Sequence, residues 1–338
     1  MFTAMELNIY GLGVNILGLK DFHQENLKKD FSYFINSQQS DVKKKLSISV
    51  HYSLLANIPN NLIAKKQSQN SITYQIGSKR YNDYYGKAVS VIDYKNESVE
   101  IYSEDDGLLY EILYLVVLSR STKFMDSMGL HKLHAAAFHI KEKNIVVMMP
   151  SKGGKTSLFM EFIKDSKVGI ISDDTPVVDK HGHILPFPLR LGHERGDVLM
   201  SSFPYLKQED IYTFKRQYYC DKKLVSIKKL KNKVITSNKT ILIVGIRTTF
   251  NEPKLKKING IKMLKHLCEH MIIGVGLPMV IEYFIQNSLS DHISNIKNFC
   301  SRLRNAIALA CRSECYVFYS SSNISKNADL IRKTFDAR

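Results

Sequence analysis

Apolar and polar positions alternate with a period near two through the first hundred residues, then change to helical spacing after Asp106. Residues 6–16 alternate and end in glycines, which predicts a strand and a turn. A polar stretch over 24–45 predicts a short helix with loops. Alternation resumes over 46–54, 71–76, 79–85, 89–94 and 99–103, with Asn, Gly and Asp between the pieces. Residues 1–105 therefore read as a β-rich, antiparallel, meander-like domain. From Asp106, the residues Leu108, Leu109, Ile112, Leu113, Val116 and Val117 predict a helix. Strands are expected over 133–140, 144–148 and 168–172, with a helix over 157–164 between the last two. A hairpin over 176–186 turns at His181-Gly182, and a loop follows over 188–196. Residues 197–235 are polar, aromatic and basic. A strand over 240–247, helices over 262–272, 278–286 and 293–310, a strand over 315–319 and a helix over 326–334 complete the chain. The mixture defines an α/β protein with a β-rich first domain and a second domain over 106–338.

The 338 residues suffice for two domains, each with its own core. With 44% hydrophobic and 24% charged residues, the composition is that of an ordinary soluble globular protein. The net charge of +16 would favour an acidic partner or nucleic acid. The lysines are scattered, however, which argues for a lysine-rich composition and against a nucleic-acid face. Cys220, Cys268, Cys300, Cys311 and Cys315 have no framework spacing. The start of the chain carries Glu6 and no early Lys or Arg, so no secretory signal is read there. The cysteines are then expected to be reduced thiols of a cytoplasmic protein. The longest apolar run, 108–118, contains Glu111 and is too short for a bilayer, so no membrane association is expected.

The chemistry concentrates in Met149-Pro150-Ser151-Lys152-Gly153-Gly154-Lys155-Thr156-Ser157. Strand, glycine turn and helix form the context in which Gly-Lys-Thr marks a phosphate-binding loop. Backbone N–H groups from Pro150 through Ser157 (Pro150 itself has none) would face an anion. Lys155 would reach the β/γ-phosphates, and the Thr156 hydroxyl would hold Mg²⁺. Met149 stands where the usual pattern has Gly, so a wider turn is expected. Asp173 and Asp174 close the apolar strand 168–172, where α/β sheets place ligands. His266 and His270 offer an i,i+4 pair, as a zinc site might, but no third ligand motif accompanies them. Cys311 and Cys315 lack a redox-pair spacing.

His134, the Gly153-Gly154-Lys155-Thr156 loop and Ser172-Asp173-Asp174, in that order, resemble the catalytic core of the HPr kinase/phosphorylase family. That family shares a sheet with phosphoenolpyruvate carboxykinase. His134 precedes Lys155 by 21 residues (155 − 134), and Lys155 precedes Asp174 by 19 (174 − 155). Both intervals suit the family. The stretches Leu-His-Ala-Ala-Ala-Phe, Ser-Asp-Asp-Thr-Pro-Val-Val-Asp and Leu-Pro-Phe-Pro-Leu-Arg-Leu-Gly are similar to a branch that includes lasso-peptide precursor kinases. The resemblance covers about residues 130–195, is loose at both ends and is absent through 197–290.

The resemblance implies a P-loop kinase domain that uses ATP and Mg²⁺ to phosphorylate a serine hydroxyl of a peptide or protein. It makes His134 an active-site histidine, Asp174 the general base and Asp173 a metal ligand, although the two aspartates could exchange roles. Glu194 falls near the family's downstream metal-binding Glu. Arg190 and Arg195 could clamp phosphate or an acidic substrate, with surface ion pairing the plainer expectation. The basic region 197–240 is a candidate groove for a peptide. Two other readings stay open: a kinase of a small hydroxyl metabolite such as free serine, and a nucleotide-binding regulator without catalysis. A homo-oligomer is compatible with all three.

Overall fold

The computed structural model describes residues 3–35, 41–54, 56, 58–150, 152–217, 220–274 and 289–336. The expected helix over 278–286 and the loop residue Ser151 lie outside these. The chain divides into two compact units: Met1–Phe124 with Arg190–Asp197 and Lys207–Lys229, and Met125–Leu189 with Val198–Leu206 and Leu230–Arg338.

In the first unit, alternation makes β1 (Thr3–Ile9) and β2 (Leu12–Leu19), whose Leu7, Ile9, Val14 and Ile16 face the core. Helix α1 (Asp21–Asp30) then leads to β3 (Lys44–His51). The short strands β4 (Lys66–Gln67), β5 (Ile72–Ile76), β6 (Lys79–Asp83), β7 (Ala88–Asp93) and β8 (Ser98–Ser103) follow. All belong to one eight-stranded sheet of order β1-β2-β3-β8-β7-β6-β5-β4. The run β4 to β8 is the antiparallel meander expected. The pairs β2–β3 and β3–β8 are parallel, which corrects the all-antiparallel expectation. Parallel neighbours need a crossover, and α1 lies in the connection that makes β2 and β3 parallel.

Helix α2 (Asp106–Ser127) begins where expected, but most of it belongs to the first unit, so the division falls after Phe124 rather than after 105. Its Tyr110 hydroxyl donates to Asp30 Oδ2 at 2.6 Å. Arg190 and the Tyr212 hydroxyl donate to the same buried carboxylate. The Arg190 guanidinium also lies 3.7 Å from the Tyr114 ring centre and 3.9 Å from that of Phe214. Burial pushes the Asp30 carboxyl above its ordinary value, and Arg190 with the two tyrosines pulls it back. This cluster ties distant segments of sequence into the first unit. There, Leu191–His193, Lys222–Val225 and Ile211–Phe214 form a small antiparallel sheet.

The second unit is built on a six-stranded sheet. Its members in spatial order are Gly169–Ser172, Ala136–Ile140, Lys143–Met148, Lys239–Arg247, Glu314–Ser320 and Lys254–Ile258. The strands Lys143–Met148, Lys239–Arg247 and Glu314–Ser320 are mutually parallel neighbours. Such strands are covered on both faces, and residues Ile145 to Met148 are fully buried. On one face Ala137, Val146, Met148, Leu242 and Val244 pack with Met263, Leu267, Ala306 and Leu309. On the other, Phe138 stacks on Phe162 with ring centres 4.2 Å apart, which docks the helix Lys155–Ile163. Burying each such side chain contributes about 1.5–3 kcal/mol.

The expected strand over 133–140 is broken. His131–Lys132 belongs to a three-stranded sheet with Val177–Val178 and Ile184–Leu185, while Ala136–Ile140 joins the main sheet. The bridge between them is Leu133-His134-Ala135, whose backbone N–H groups donate to Pro176 O, His270 O and Asp174 O at 2.9, 3.0 and 2.9 Å. Among the described residues no helix is long and apolar enough to cross a membrane. All five cysteines are free thiols.

Candidate functional site

Strand direction brings the second unit's candidate residues together. The strands Lys143–Met148 and Gly169–Ser172 both run antiparallel to Ala136–Ile140, so they run the same way as each other. Their C-terminal ends, and the start of Ala136–Ile140, therefore lie at one end of the sheet. Met149–Thr156 follows the first strand, Asp173-Asp174 follows the second, and His134 precedes the third. Ligands of α/β sheets bind at this end.

The loop after Met148 turns tightly. Gly153 N–H donates to Pro150 O at 2.9 Å. A Cβ on Gly153 would lie 2.8 Å from that oxygen, so the turn admits no side chain there. Gly154 caps the helix Lys155–Ile163 at φ +98°, a left-handed value that glycine adopts at low cost. With Met149 at its first position, where a wider turn is expected, the loop still closes the Gly153–Pro150 hydrogen bond. The Met149 side chain is buried and packs on Gly245, where an added Cβ would lie 2.5 Å from Met149 Cε. The glycine missing from the loop's first position thus has a counterpart in the next strand.

The Lys155 ammonium is buried and donates to Met149 O at 2.8 Å. Burial lowers its pKa, and the charges of Asp174 and Asp173 oppose that shift. Ser172 Oγ accepts from the Thr175 N–H at 3.0 Å, which fixes the turn carrying the two aspartates. His134 Nε2 lies 3.3 Å from Asp174 Oδ1. Its side chain is 6% exposed while that of Asp174 is 52% exposed, so the carboxylate is open to an incoming group and the imidazole is not.

Lys152, Gly153, Gly154, Thr156 and Ser157 occupy the loop and the first turn of its helix, as expected. The other three candidates belong to the first unit. Arg190 is buried against Asp30, Arg195 pairs with Asp197 at the surface, and Glu194 lies 3.9 Å from Arg216. Arg190 and Arg195 thus make ion pairs inside their own unit.

Two residues gain weight that sequence reading did not give them. His270 sits in a π-helical turn, Cys268–Ile273, that breaks the expected helix over 262–272. Its ring centre is 5.8 Å from that of His134, its buried Nδ1 has no hydrogen-bond partner among the described residues, and burial pushes its pKa down to about 4. It is neutral at physiological pH. Lys132 is buried with its ammonium 3.9 Å from the Phe187 ring centre. Burial pushes it down to about 7, against the pull of Asp126 and Asp174. A lysine two residues before His134 in an apolar stretch was its only sequence signal. Among the described residues no group of three or more His, Cys, Asp or Glu could hold a metal ion, so the His266–His270 pair has no zinc-site company.

No protein-family model matches the chain, and no curated protein matches it.

Proposed function

We propose that the second unit is a P-loop kinase of the HPr-kinase type, transferring phosphate from ATP to a serine hydroxyl of a peptide or protein. The observation that carries this reading is the meeting of three elements at one sheet end: the glycine loop with Lys155, the Asp173-Asp174 turn and His134. Phosphoryl transfer needs cations at the phosphates and a carboxylate for the attacking hydroxyl. The residues suit both requirements. The turn at Gly153 brings backbone close to any bound anion, and the Lys155 ammonium rests on a loop carbonyl that phosphate oxygens can replace. Thr156 and Asp173 are oxygen donors of the kind Mg²⁺ takes, with waters and phosphates completing its shell. Bound there, ATP·Mg²⁺ supplies the transferable phosphoryl group and neutralises charge on its oxygens.

The chain's own residues do the rest. Asp174 accepts the proton of the acceptor hydroxyl. His134 holds the carboxylate from its buried side, and His270 presents a neutral ring to His134. Lys155 leaves the Met149 carbonyl for the β/γ-phosphates. The test is ADP formation by the full chain with Mg²⁺, measured alone, with free serine and with serine-containing peptides. Peptide-dependent ADP release with phosphoserine in the product supports the reading. ATP binding without any ADP release contradicts it and leaves a regulator.

A further inference from the structure

A second polar constellation in the same unit shares no residue with the phosphate loop. His131 Nδ1 is 2.6 Å from Asp126 Oδ1, and its Nε2 is 2.8 Å from Ser301 Oγ. The Asp126 and His131 side chains are fully buried. Arg302 donates to the other carboxylate oxygen, Asp126 Oδ2, at 2.6 Å, and also to Met271 O at 3.2 Å. Burial works to raise the Asp126 pKa, but the hydrogen bond from His131 and the charge of Arg302 outweigh it and hold the group below its ordinary value.

The proton positions follow. An ionised carboxylate only accepts, so His131 Nδ1 donates to it. When the ring carries that proton alone, Nε2 is an acceptor and the Ser301 hydroxyl donates to it. From another direction Arg304 Nη2 donates to Ser301 Oγ at 3.3 Å, while the same nitrogen reaches Asn305 Oδ1 at 3.2 Å. Gly129 beside this serine has φ +72°, a left-handed value that glycine adopts at low cost. Ser301 is half-buried and Arg304 is exposed. A hydroxyl, a base on a buried carboxylate and a cation at the oxygen are the parts of a nucleophilic acyl-transfer site.

We propose that Ser301 is an activated nucleophile that accepts an acyl group from an ester whose acyl part is anionic. Ser301 Oγ bonds to the ester carbonyl carbon and its proton passes to His131 Nε2. Asp126 stabilises the imidazolium, and Arg304 faces both the oxyanion and the substrate's negative charge. The carbon–oxygen bond to the leaving group breaks, and His131 returns the proton to the departing oxygen. Water then releases the acid by the same steps, leaving Ser301 as it began.

The experiment treats the folded full chain with a fluorophosphonate reporter, maps the labelled residue by mass spectrometry, and compares turnover of 4-nitrophenyl succinate and 4-nitrophenyl acetate. The expected result is label on Ser301, none in Ser301→Ala, and preference for the succinate ester. Arg304→Ala, at an exposed position, should keep the melting temperature and slow labelling by roughly 10²-fold. Label elsewhere, or labelling of Ser301 no faster than in the guanidinium-unfolded chain, overturns the proposal and leaves the chain of bonds as a tie between helix and sheet.

Discussion

His134 Nε2 lies 3.3 Å from Asp174 Oδ1, joining the start of one strand to the turn after its neighbour. The imidazole is buried and the carboxylate half-open, so the pair offers a fixed partner behind a reachable base. Asp174→Asn keeps the shape and removes the proton acceptor, because an amide takes no proton at neutral pH. Phosphoryl transfer should fall by roughly 10²- to 10⁴-fold, with ATP·Mg²⁺ affinity little changed. Asp173→Asn should instead raise the magnesium concentration needed for half-maximal turnover. Turnover measured over a magnesium series separates the two roles, and the opposite pattern would exchange them.

Lys132 gives a pH signature. Its pKa is about 7 in the fold and near 10.5 when unfolded. Between these values the unfolded chain binds more protons, so this group makes stability rise with pH. The penalty is complete below about 7 and gone above about 10.5. Lys132→Met should therefore stabilise the protein at pH 7 and flatten the rise toward pH 10. Urea unfolding of both proteins at several pH values checks this, and parallel curves would show that Lys132 does not titrate in the fold.

Met149 and Gly245 should be coupled. Met149→Ala removes a buried side chain and should cost about 2–5 kcal/mol. Gly245→Ala overpacks the same spot and should cost about 1–3 kcal/mol. The double variant should be more stable than the two losses added together, since the smaller residue makes room for the new methyl. Strict additivity in denaturant titrations would show that the two do not share that space.

The strand–loop–helix from Lys143 to Ile163 was legible because its signals are local: an apolar run, two glycines and a helical stripe. The aspartates were legible for the same reason, since they close the next apolar run. Pairing direction was not. Alternation marks β2, β3 and β8 as strands but carries no sign of which neighbours run parallel. Arg190 was misplaced because its partner, Asp30, is 160 residues away in sequence. The break at His134 was hidden inside an unbroken apolar stretch. It arises from backbone bonds to Asp174, Pro176 and His270, none of which is local. Likewise, the π turn that carries His270 follows a pattern that reads as ordinary helix.

The proposed kinase requires the loop around Lys155 to hold a nucleotide. Calorimetric titration of ATP·Mg²⁺ into the wild-type chain, Asp174→Asn and Lys155→Ala tests it without knowledge of the acceptor. The wild type should show one site per chain, Asp174→Asn the same affinity, and Lys155→Ala a loss of at least about tenfold, because its ammonium is the loop's buried charge for the β/γ-phosphates. Absence of binding in the wild type, or equal binding by Lys155→Ala, would contradict it.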